Sequence, residues 1–134
     1  MAGIRAMILC DTNILIEFYK NNPTIVNELR LTGIDRLAIS VITQAELYYG
    51  AINKTELLKI QKHLNLLPNF PIDNQVSAQF IQLIGHYSLS HKLAIPDALI
   101  AATALVNNVS SYTLNLKDFR FIEGIKLHRP TSLS

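Results

Sequence analysis

Residues 7–19 read MILCDTNILIEFY, from Met7 to Tyr19, and this stretch decides the fold class. Met7 to Cys10 is an apolar run too short for a helix, and it is closed by Asp11-Thr12-Asn13. Those polar types bond to backbone at turns and helix starts, so the stretch predicts a buried strand, a tight turn and a helix from about Ile14 to Lys20. A strand with no polar alternation is covered on both faces, as in a parallel sheet.

Working outward, the same alternation continues. Asn22-Pro23 breaks the chain, Thr24 to Leu31 suits a second helix closed by Gly33, and Arg36 to Ile42 is a β-branched strand. Thr43-Gln-Ala-Glu46 has the form of a capping box, which places Thr43 at the cap of the next helix. Thr55 to Leu67 predicts a helix with Leu57, Leu58, Leu64 and Leu67 on one apolar face, ended by Pro68. Phe70-Pro71-Ile72 suits a short edge strand, and Asp73 can cap the longest helix, about Asn74 to Ser90. Pro96 fits the first turn of a helix from Asp97 to Val106, Ser111 to Leu114 is a further strand, and Lys126 to Leu127 a weak last one. Strands alternating with helices imply an α/β fold with helices on both faces of a parallel sheet.

The 134 residues, 49% of them apolar, suffice for one core and not for two ordinary domains. Residues 1–6 read as an N-terminal extension and residues 7–134 as a single domain. With one cysteine no internal disulfide can form, which points to a reducing, cytoplasmic compartment; Cys10 itself reads as a small buried hydrophobe. No stretch approaches the roughly 18 apolar residues of a membrane span, and the start lacks the pattern of a signal peptide. The net charge of +2 says little, but its distribution says more. If four of the ten acids gather at one site, six remain against twelve Lys and Arg, a surface that would attract a polyanion.

In an open parallel sheet, ligands bind beyond the carboxyl ends of the strands. That rule selects Asp11 after the first strand, Glu46 one turn into the helix after the second, Asp97 opening a helix, and Asp118 beyond the strand that leads to Thr113. Clustered carboxylates raise one another's proton affinity unless a cation neutralises them. The oxygen-only donor set suits Mg²⁺ or Mn²⁺, whereas zinc would call for Cys and His at short spacings; His63, His86, His91 and His128 show none. A divalent ion on carboxylates beside a polyanion-binding surface implies phosphodiester hydrolysis. Each acid also has a structural explanation: Asp11 as a helix cap, Glu46 in its capping box, Asp97 at a helix dipole, Asp118 as a loop acid.

These residues are where a resemblance enters. MILCDTNILIEFY, SVITQAELYYGA around Glu46, IPDALIAATAL with Asp97, and YTLNLKDF with Thr113, Asn115 and Asp118 are similar, in order and over nearly the whole chain, to the four motifs of the PIN-domain family and its VapC-type toxins. The resemblance implies a three-layer α/β/α sandwich with a mainly parallel sheet of four to five strands. It also implies metal-dependent endoribonuclease activity as the toxin of a type II toxin–antitoxin pair, with transfer RNA as substrate by family analogy. Asp11, Glu46 and Asp97 would be the metal-binding acids, Asp118 would complete the pocket, and Asn13, Thr113 and Asn115 would orient carboxylates or water. A homodimer and an antitoxin filling the active groove are implied as partners. Leu114 departs from the basic residue many relatives carry there, which removes a phosphate contact and not the metal site. Tyr48, Tyr49, Phe119 and Phe121 are candidates for stacking on bases, with at least two of them expected in the core; Lys117, Arg120 and Arg129 are candidates for phosphate contacts.

Two rival functions remain at this stage. A phospho-acceptor receiver-like signalling domain shares the size and an acidic Mg²⁺ pocket but needs an acidic pair by the first strand, and Asp11 has no acidic neighbour. An inactive RNA-binding PIN domain would have lost acids that this chain retains.

Overall fold

The opening apolar run is a strand, β1 (Ile8–Cys10), buried at all three positions in the computed structural model, which describes residues 6–130. Its side chains alternate between two faces. Ile8 and Cys10 join one core with Ile14 and Leu15 of α1 (Thr12–Tyr19), Leu29 of α2 (Pro23–Thr32), Leu47 of α3 (Val41–Tyr49) and Leu64 of α4 (Lys54–Leu64). Leu9 joins a second core with Leu83 of α5 (Asn74–His91) and Ala101 of α6 (Ile95–Asn107). One sheet between two cores is the expected α/β/α sandwich.

The sheet is wholly parallel, in the order β3 (Asn69–Phe70), β2 (Leu37–Ser40), β1, β4 (Ser110–Tyr112). The chain steps outward from β1 to β3 and returns on the other side of β1 for β4. Strand order therefore reverses between β1 and β4, and a crevice opens at their carboxyl ends. The expected weak last strand is a single parallel bridge between Leu127 and Ser111. Asp73 caps α5 through the N–H of Val76 at 2.9 Å, and Gly33 closes α2 at φ 106°, a conformation that glycine adopts without strain.

Two expectations fail. The capping box does not exist: β2 ends at Ser40, and Ser40, not Thr43, caps α3 by accepting the N–H of Thr43 at 3.3 Å. Val41 and Ile42 look strand-like by propensity, but Ile42 packs against the second core from the first turn of α3, and tertiary packing overrides that preference. On α4 the inward positions are Ile60 and Leu64, one turn apart, while Leu58 is exposed; the helix stops at Leu64 instead of Leu67. Residues 1–5 of the expected extension lie outside the described residues, as do residues 131–134. No helix among the described residues is long and apolar enough to cross a membrane.

Candidate active site

The switch-point crevice is where the four sequence-selected acids meet. Asp11 follows β1 and caps α1, and it is only 4% exposed. Its N–H donates to the carbonyl of Tyr112 at 2.9 Å, which carries the β1–β4 pairing one residue further and pins the backbone. Its carboxylate is gripped from two sides: Oδ1 accepts the Thr12 N–H at 2.7 Å, and Oδ2 accepts the Thr113 hydroxyl at 2.7 Å. Thr113 in turn accepts the N–H of Asn115 at 3.0 Å, and Asn13 Oδ1 accepts the N–H of Leu114 at 3.3 Å. The polar residues expected to support the site thus tie the β4 loop to the start of α1. Asn115 does so through its backbone.

Glu46 projects from the second turn of α3, and its Oε1 accepts the Thr12 hydroxyl at 2.7 Å. Asp97 is the third residue of α6, behind Pro96, and Asp118 closes a 3-10 turn, Leu116–Asp118, beyond β4. The acids act on one another electrostatically. Burial raises the Asp11 carboxyl above its ordinary range, its two hydrogen bonds oppose this, and the charges of Glu46 and Asp118 add to the rise. Burial likewise raises Asp97 to about 6, with Asp11, Asp118 and Glu46 each contributing. Among the described residues, no Lys or Arg forms an ion pair with any of the four.

Four neighbouring carboxylates with no Lys or Arg ion pair among the described residues favour a positive charge between them, and their donors are all oxygen. Among the described residues, however, no group of three or more His, Cys, Asp or Glu is arranged to hold an ion directly. The donors that Asp11, Glu46, Asp97 and Asp118 offer are carboxylate oxygens, the ligand type that Mg²⁺ or Mn²⁺ takes, so these four are the residues that could hold such an ion. None of the histidines joins the cluster: His63 stacks on Phe18 and bonds the Tyr19 hydroxyl, and His128 pairs with Glu28. Cys10 beside Asp11 is fully buried, and that burial, with Asp11 adding to it, pushes its thiol up to about 12. It is an inert core residue.

The match to the PIN domain family covers residues 8–123, which takes in all four acids and both of their supporting strands. The chain belongs to the PIN-domain family. Similar proteins include ribonuclease VapC10 of Mycobacterium tuberculosis, 30% identical over 90% of this chain and 91% of that one. Another is the tRNA(fMet)-specific endonuclease VapC of Salmonella typhimurium, 28% identical over 89% and 94%. This PIN domain also superposes on the DNA-bound VapBC complex of Salmonella typhimurium with a TM-score of 0.81, at 27% identity over 92% of this chain and 98% of that one.

Sequence reasoning did not single out Thr12 as a residue serving two acids at once. Its identity was visible inside Asp-Thr-Asn, but its bond to Glu46 spans 34 positions and leaves no local signal. Among the base-stacking candidates, Phe119 is fully buried and Phe121 packs against the second core, while Tyr49 is 93% exposed. A groove of about 540 Å³ opens beside Glu46, between Ile16 and Tyr19 of α1, Leu47 of α3, and Lys59 and Ile60 of α4.

Proposed function

We propose that this PIN domain is a Mg²⁺- or Mn²⁺-dependent endoribonuclease, the toxin of a type II toxin–antitoxin pair, with Asp11, Glu46, Asp97 and Asp118 as its catalytic acids. The observation that carries the reading is the cluster of like-charged carboxylates at the switch point, Asp11 buried and Glu46, Asp97 and Asp118 part-buried around it, with no Lys or Arg ion pair among the described residues. Structural acids acquire partners, whereas acids held apart from them mark a site. The names of the VapC relatives, ribonuclease and tRNA-specific endonuclease, support RNA as the substrate and transfer RNA as its class.

When bound, the divalent ion supplies Lewis acidity toward a phosphodiester and a more acidic water. The protein's part lies in holding the oxygens. Asp11 cannot rotate, because each of its carboxylate oxygens already accepts a bond from a fixed donor. Asp97, with a carboxyl raised to about 6, is still mostly ionised at neutral pH and would offer its oxygens to the ion. Asp118 adds negative charge beside Asp11 and Asp97. Exposed Lys117, Arg120 and Arg129 can meet the flanking phosphates.

A toxin needs restraint, and the VapBC complexes among the similar structures support a cognate antitoxin as a partner. The groove beside Glu46, lined mainly by apolar groups of Ile16, Tyr19, Leu47 and Ile60, is where a segment of that partner would lie against this acid. A homodimer and a cytoplasmic location complete the reading. The test is to sequence the 5′ ends of RNA from cells expressing wild type or Asp97→Asn. Discrete new ends in tRNA seen only with the wild type are expected, and identical end profiles would overturn the reading.

A further inference from the structure

We infer that Ser40, Thr43 and Thr12 form a directed chain of hydroxyls that sets the position of the Glu46 carboxylate, and that Thr43 is a positioning residue acting on Glu46 through Thr12. The inference rests on the nuclease reading only for what Glu46 does once positioned.

The distances define the chain. The Thr12 hydroxyl lies 2.7 Å from Glu46 Oε1 and 3.0 Å from Thr43 Oγ1, and Thr43 Oγ1 lies 3.4 Å from the Ser40 hydroxyl. Counting protons gives its direction. An ionised carboxylate has none, so Thr12 donates to Glu46. Thr12 has then used its single proton, and its oxygen accepts from Thr43. Thr43 is left accepting from Ser40, whose own oxygen accepts the Thr43 N–H at 3.3 Å. With Thr12 donating to Glu46, the remaining hydroxyls run in one direction and the last proton points at Glu46.

Burial gives the chain its stiffness. Ser40 and Thr43 are fully buried, while Thr12 and Glu46 lie part-buried where the chain meets the crevice. A buried hydroxyl deprived of its acceptor costs free energy, so the inner members hold Thr12 in one orientation and Thr12 holds Glu46. Ser40 already caps α3, so Thr43 has no capping role to explain its hydroxyl. Valine would fill the same volume with less to satisfy. Thr43 and Glu46 are three residues apart on α3 and share a face, and Thr12 enters between them from α1.

Thr12 also fixes the spacing between two acids. Its N–H holds Asp11 Oδ1 at 2.7 Å while its hydroxyl holds Glu46 Oε1 at 2.7 Å. One residue thereby couples the acid after β1 to the acid on α3.

The experiment compares Thr43→Val, Thr43→Ser and Thr12→Val in the full chain by two readouts. The first is the Glu46 side-chain conformation in crystals of the metal-free variants; the second is affinity for Mn²⁺ alone, from the spectrum of free Mn²⁺. Removing a group that orients a ligand weakens metal binding by roughly 10-fold or more, so Thr43→Val and Thr12→Val should both do so and release Glu46 from its conformation. Thr43→Ser, which keeps the hydroxyl, should stay within about twofold of wild type, and Thr43→Val should add nothing in a Glu46→Gln background. An unmoved Glu46 with unchanged Mn²⁺ affinity in Thr43→Val overturns the inference, even if RNA cleavage by the wild type is confirmed. A displaced Glu46 in Thr43→Val, together with a wild type that cuts no RNA, upholds the positioning and removes the nuclease reading. If Thr43→Val fails to fold, Thr12→Val, at a part-exposed position, decides by the same two readouts.

Discussion

Glu28 and Asp11 are both sealed carboxylates, 0% and 4% exposed, and the protein surrounds them in opposite ways. Glu28 on α2 accepts the Thr32 hydroxyl at 3.2 Å and meets His128 Nε2 at 2.9 Å, with the Tyr112 ring packed edge-on against that imidazole. It clips the C-terminal segment to α2. Among the described residues, Asp11 receives only neutral donors and faces three further acids. A buried acid given an imidazole partner is a joint, whereas a buried acid facing like charges stores an electrostatic cost that a cation relieves.

The largest effect expected from this contrast falls on the site. Asp97→Asn should lower RNA cleavage roughly 100-fold or more, corresponding to the loss of about 2.7 kcal/mol of transition-state stabilisation. The thermal midpoint of the metal-free variant should hold or rise, because one repelling charge is gone. Retained cleavage would place Glu28 and Asp97 in the same class.

The joint should respond the other way. His128→Ala should cost on the order of 2–3 kcal/mol of stability in a denaturant titration, because it strands a buried acid. Cleavage per folded molecule should stay near the wild-type level. Loss of activity without loss of stability would make the clip part of the site.

A smaller effect sharpens the comparison through pH. The folded-state value of Asp97, about 6, lies above its ordinary 3.8, so between those values the folded protein binds more protons than the unfolded chain. Stability of the chelator-treated protein should therefore fall as pH rises through that window, with Asp11 adding in the same direction. Thermal midpoints across the window should slope downward, and Asp97→Asn should flatten the slope. A midpoint that climbs instead would mean that these acids find a cationic partner in the protein.

How much of this was legible in the sequence follows from how far apart the interacting residues lie. Asp11, Asp97 and Asp118 sit at a strand end, a first helical turn and a loop after a strand, so local patterns marked them and the topology rule gathered them. Glu46 was marked as well, but beside a mistaken cap. Ser40 and Thr43 offer two capping frames three residues apart, and the β-branched pair Val41-Ile42 between them favoured the wrong one. Only the end of β2, set by pairing with β3, selects Ser40. The bond from Glu28 to His128 spans 100 positions, and the bond from Thr12 to Glu46 spans 34. Neither has a periodic signature, so the joint stayed invisible, as did the double role of Thr12.

The central claim is that the acids at the switch point serve to bind a divalent cation. It is tested most directly by titrating Mn²⁺ into chelator-stripped wild type and Asp97→Asn while following the thermal midpoint. The account predicts a wild-type midpoint that climbs with Mn²⁺ as binding to the folded state requires, and a nearly flat response from the variant. A wild-type midpoint indifferent to Mn²⁺, or a variant that climbs equally, would contradict it.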